Sequence, residues 1–160
     1  RQALRVLGSS YSANAHAFST RYQNCNQWVA ELLAQAWGGL PADVPDARAQ
    51  AQQWLRQQGY QPTRMQVANP LVTLAAALMP WLHTDDHPAS AVQAQQFDVS
   101  MPASIEAFVR ERVPGARRVE FCHAGMRVVV HRGWEPIADG CVAGPNDRVI
   151  ALDDTPHNSP

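Results

Sequence analysis

The chain has 160 residues, 46% of them hydrophobic and 17% charged, with a formal net charge of −1. That composition describes a folded globular chain and excludes a disordered one. No basic tract or aromatic RNA-type motif is present, so nucleic acid is not an expected partner. All 13 basic residues are arginine, which reads as a compositional bias of the source genome. The longest apolar run, Pro70 to Leu82, has 13 residues and contains Pro80. It is shorter than the ~18 residues a membrane-spanning helix needs, and a buried helix is the expectation. The sequence starts at Arg1 without an initiator methionine. We expect one domain over 1–160, the C-terminal portion of a longer protein, with a flexible tail at 153–160.

In chain order, residues 9–20 read as loop or extended chain. A helix is expected from about Asn24 to Trp37. Trp28, Val29, Leu32, Leu33 and Ala36 recur at the spacing of one helical face. Asn24 is its N-cap, and Gly38 and Gly39 stop it. A second helix runs from about Ala47 to Gln58, capped by Asp46, with Ala47, Ala51, Trp54 and Leu55 inward. Thr63–Val67 is a weak strand. Asn69-Pro70 opens a helix running to about Met79. His83–His87, "HTDDH", reads as a solvated polar turn. Phe97–Met101 is a short strand, and Pro102 opens a helix with Ile105, Phe108, Val109 and Val113 inward. Two β segments then flank Ala124-Gly125, which reads as a two-residue hairpin turn pairing His123 with Met126, Phe121 with Val128 and Val119 with Val130. Val119, Phe121, His123, Met126, Val128 and Val130 share the more apolar face. A third strand starts at Arg148.

Of the three cysteines, Cys122 and Cys141 are the natural pair if thiols are oxidised, which leaves Cys25 free. Cys25 follows the N-cap directly. The unsatisfied N–H groups and the dipole of a helix start favour a thiolate there. The same amides can receive the oxyanion formed when a thiolate attacks a carbonyl. A buried or inert thiol is the competing reading, since free cysteine often fills core space. Tyr22, Asn24 and Asn26 flank the thiol and are the expected substrate-binding residues. His83 and His87 have the four-residue spacing of metal ligands only in a helix, so no metal is expected, and no cofactor. Ser104 lacks the glycines of a nucleophile elbow and reads as a polar helix-start residue.

The stretch "YQNCNQWVAELL" resembles the cysteine helix of the papain-like superfamily, and more specifically of its circularly permuted members related to NlpC-type peptidases. Cys25, Trp28 and Val29 carry the resemblance. The longer stretch "FSTRYQNCNQWVAELLAQAWG" resembles a family of uncharacterised exported bacterial proteins. The resemblance implies an α+β fold, with helices on a small antiparallel sheet, and a thiol hydrolase or acyltransferase. Its substrate would be an amide, ester or thioester in a cell-wall peptide or acyl compound, met outside the cytoplasm, in the periplasm. In the permuted arrangement the histidine base precedes the cysteine, and no such histidine-bearing strand lies in the 24 residues before Cys25. The resemblance therefore implies a histidine base in upstream sequence not included in this chain; among histidines in the chain, His123 is the leading candidate base, with His131 and His16 behind it. A binding domain that keeps the fold without a complete site is the alternative function.

Overall fold

The computed structural model describes residues 6–41, 43–69 and 78–152. The expected helix from Asn69 to Met79 and the tail at 153–160 lie mainly or wholly outside these residues. The fold class is α+β, and the chain divides into two compact units, 1–112 and 113–160.

In the first unit, α1 spans Cys25–Gly38 and α2 spans Ala47–Gln57. β1 (Thr63–Gln66) pairs antiparallel with β2 (Gln96–Val99). α3 (Ala89–Ala94) leads into β2, and α4 (Pro102–Arg112) follows it. The α3 turn falls at the end of the polar break, where the sequence carries no helical apolar period. The core joins Ala30 and Ala34 of α1, Ala51 and Leu55 of α2, Tyr60, and Phe108 of α4. Alanines at the contact let the two helices approach closely, and aromatic rings fill the space beyond. Tyr60 and Trp54 both meet Phe108 edge-on, at centroid distances of 5.4 and 6.3 Å. Gly38 is part of the same close approach: a Cβ there would stand 2.8 Å from Trp54 Nε1.

The helix faces correct the sequence expectation. The buried stripe of α1 is Gln27, Ala30, Glu31 and Ala34, while Val29 and Ala36 are exposed. Small side chains meet α2 there, and the buried polar ones are satisfied by hydrogen bonds. Val113, expected inside, is exposed beyond the last turn of α4. Asp46 occupies the N-cap position of α2, but its side chain caps no backbone amide and accepts from Gln50 Nε2 instead.

The second unit is a three-stranded antiparallel sheet in the order β3–β4–β5: Val119–Ala124, Arg127–Arg132 and Arg148–Ala151. The hairpin register differs by two residues from the expected one. Ala124 pairs with Arg127, so Gly125-Met126 form the loop, and Phe121 faces Val130. Gly125 has φ +59°, so the glycine takes the first loop position, which needs a left-handed φ. A two-residue shift preserves which side chains share a face. Burial is divided between the faces, with Val130 buried on the Phe121 face. Phe121 is 70% exposed, whereas Val129, opposite Cys122, is fully buried. The Cys122–Cys141 disulfide forms on the Val129 face, the pair expected for oxidised thiols.

Candidate functional site

Cys25 is the free cysteine, and it is exposed. It is the first residue of α1, directly after the Asn24 N-cap. Asn24 is buried, and its side chain is fully committed. Oδ1 accepts from Gln27 N–H at 2.7 Å, and Nδ2 donates to the carbonyls of Ala13 and Ser100 at 3.3 Å. The cap therefore ties the start of α1 to the loop before it and to the residue after β2. Trp28 N–H bonds to Asn24 O, whereas the N–H groups of Cys25 and Asn26 meet no acceptor among the described residues. Those two amides are the geometric donors that remain for an incoming oxygen.

A recess of about 200 Å³ borders the thiol, lined among others by Leu7, Tyr11, Asn24, Cys25 and Trp28. Its wall is set by strand-like contacts between residues 10–12 and Gln23. Gln23 N–H donates to Ser10 O at 3.0 Å, and Ser12 N–H donates to Gln23 O at 3.3 Å. Leu7 and Tyr11 are parts of this wall that sequence reasoning missed, because an irregular stretch shows no period. Tyr22 lies elsewhere. It stacks on His83 at 4.3 Å, and its hydroxyl donates to Asp85 Oδ2. Asn26 is half-buried and is not part of the recess wall.

Behind the thiol, α1 carries a buried polar network. Glu31 is fully buried and accepts four hydrogen bonds: from Gln23 and Arg48 Nε at one oxygen, and from Gln52 and Arg48 Nη2 at the other. Arg48 also donates to the carbonyls of Ser19, Thr20 and Tyr22. Gln27 Nε2 donates to the carbonyls of His16, Ala17 and Ser19. Burial pushes the Glu31 carboxyl up from its ordinary range, and Arg48, Gln52 and Gln23 pull it down. A neutral carboxyl here would have no acceptor for its proton, so the four donors favour the carboxylate. The network clamps residues 19–24, the segment that delivers Cys25. Its one legible sign in the sequence is an acid, Glu31, in the middle of a helical run.

The histidines of the first unit make other contacts, and the thiol makes no hydrogen bond among the described residues. His16 Nδ1 accepts from Phe18 N–H at 3.2 Å, and its ring meets His87 edge-on at 5.2 Å. Burial, then the neighbouring His87, lowers the His16 pKa from its ordinary value. His87 is buried, with Nε2 on Asn14 O at 2.8 Å, and both its side chain and that of Asp86 are closed to solvent. "HTDDH" is therefore a packed anchor rather than a solvated turn: Asp86 accepts from His16 N–H, and His83 N–H donates to Ser12 and Asn14. Ser104 is structural, bonded to Tyr60 Oη and Met101. Within the second unit, His123 is exposed on β3, and His131 pairs through Nδ1 with Asp147.

Among the described residues no helix is long and apolar enough to cross a membrane. No curated protein and no solved structure matches the chain. A family model does: residues 1–109 match DUF2145, described as an uncharacterized protein conserved in bacteria. The matched span nearly coincides with the first unit, which holds Cys25, its cap and the Glu31 network. The chain thus belongs to this conserved bacterial family.

Proposed function

We propose that the chain is a thiol-dependent hydrolase or acyltransferase of the papain-like, NlpC-related kind, with Cys25 as its nucleophile. The observation that carries the reading is an exposed thiol at the first position of α1, on the rim of a recess, behind which a buried network fixes the approach segment. Free cysteines kept for packing are buried; this one is not. In the reaction the thiolate sulfur attacks a carbonyl carbon of an amide, ester or thioester. The carbonyl electron pair moves to oxygen, where the Cys25 and Asn26 amides receive it. Collapse breaks the bond to the amine, alcohol or thiol, which leaves with the proton that a histidine base took from the Cys25 thiol, and an acyl-thioester remains on Cys25. Water or an acceptor nucleophile then releases the acyl group.

The Cys122–Cys141 disulfide supports export, because such bonds persist in oxidising compartments such as the periplasm. Cell-wall peptide or an acyl-carrying compound fits that location. The test is acylation of the intact chain by an activated thioester, followed by mass. One acyl group on Cys25, lost with time and absent in Cys25→Ser, supports the reading; no adduct on Cys25 overturns it. His123→Ala, His131→Ala and His16→Ala, assayed in parallel, identify the proton acceptor as the variant that slows both steps.

One observation favours a second reading. No histidine of the first unit bonds the thiol among the described residues, as expected of a binding domain with an incomplete site. On that reading Cys25 reacts no faster than a cysteine in an unfolded chain.

A further inference from the structure

The second unit holds a recess of about 310 Å³ whose wall includes Arg117, Arg118, Arg132 and Trp134. Arg118 is neutralised and held in place. It pairs with Glu120 at 2.7 Å and donates to the carbonyls of Gly133 and Glu135. Arg117 and Arg132 are exposed and have no carboxylate partner among the described residues. Two uncompensated guanidinium groups on one recess repel each other, and an anion between them removes that cost. Each guanidinium presents a flat fork of donors that fits the paired oxygens of a carboxylate or phosphate. The half-buried Trp134 adds a flat apolar wall beside them. A larger recess in the first unit, about 520 Å³, also has two arginines, but both are already engaged. Arg64 makes two hydrogen bonds to Asp98, and Arg56 donates to Phe18 O and lies over the Phe18 ring.

We propose that the recess at Arg117, Arg132 and Trp134 binds an organic oxyanion, a carboxylate or phosphate group attached to a ring or other flat apolar body. Arg117 and Arg132 take the oxygens, Arg118, neutralised by Glu120, forms a fixed part of the wall, and Trp134 covers the attached group. The site is independent of Cys25 and lies outside the family-matched residues.

The test is calorimetric titration of the full chain at low salt with phenyl phosphate, benzoate and inorganic phosphate. Saturable binding of phenyl phosphate or benzoate is expected, and whichever binds more tightly identifies the oxyanion. Arg117→Gln and Arg132→Gln each weaken it about tenfold or more, as loss of a charge-assisted hydrogen bond does. Trp134→Leu weakens phenyl phosphate but leaves inorganic phosphate unchanged. Arg127→Gln, at the opposite end of β4, changes affinity less than twofold. Absence of saturable binding by all three anions overturns the proposal. So does an Arg127→Gln effect as large as that of Arg132→Gln, which would reveal general charge attraction.

Discussion

The two units hold their chains together by different means. The first, 112 residues long, has an alanine and aromatic core and beside it a buried carboxylate with four donors. The second, 113–160, has a three-stranded sheet with a covalent staple. Size accounts for the difference. A segment that short cannot bury enough apolar surface to offset its ordering entropy, and disulfides commonly make up the shortfall. The larger unit has enough core to bear a buried charge, and that charge organises a loop. The polar network holds the segment that leads into Cys25, whereas the staple fastens loop to sheet.

Removing Glu31 has the largest expected effect. Glu31→Gln leaves Arg48 without its carboxylate in a largely closed site and destabilises the first unit by about 3–5 kcal/mol. Hydrogen exchange read by unit detects the loss in residues 1–112, and an effect under about 1 kcal/mol would remove the network from the account. Next is the disulfide. Cys141→Ser opens a loop of sequence separation 19 and costs about 3 kcal/mol on the chain-entropy estimate. Amide protection then falls in β3–β5; equal loss in α1 would contradict the contrast between units. Asn24→Ala removes the cap and costs about 1 kcal/mol, read as a lower midpoint in urea. It also slows acylation of Cys25, because the start of α1 loses its two carbonyl anchors.

The pH dependence differs by group. His16 is held below its ordinary value of 6.5 by burial, so the unfolded chain takes up its proton first. Its contribution is complete above pH 6.5, declines as pH falls below that value, and levels off below the folded pKa. His16→Asn flattens the decline, and an unchanged acid limb would show that another group causes it. The smallest effect comes from Asp98, lowered chiefly by its hydrogen bond to Arg64. Its stabilisation is present above 3.8 and is lost as pH falls through the lower folded value. The pair is largely exposed, so Asp98→Asn costs about 0–1 kcal/mol at neutral pH.

Much of this was legible in the sequence where local chemistry decides. Asn24 as cap, Gly39 as stop and the strand at Arg148 follow from residue type and spacing, whereas the Cys122–Cys141 pair follows only if thiols are oxidised, which the sequence leaves open. What misled was tertiary. The leucines of α1 mark an apolar face, yet Gln27 and Glu31 are the residues buried, because partners from residues 16–23 and α2 satisfy them. "HTDDH" looks solvated until Asn14 and His16, some 70 residues away, supply its bonds. The recess wall at Leu7 and Tyr11 comes from a stretch with no period to read.

The proposed role of Cys25 requires a thiol that the fold makes more reactive. With Cys122 and Cys141 paired, Cys25 is the thiol that iodoacetamide reaches, so a single rate reports on it. We would measure that rate at pH 6.5, in the folded chain and in the same chain unfolded in urea with the disulfide intact. An activated Cys25 reacts at least tenfold faster in the folded chain, and Asn24→Ala erodes the difference. Equal rates, or slower reaction in the folded chain, would contradict it and leave the exposed thiol a surface residue without a reaction.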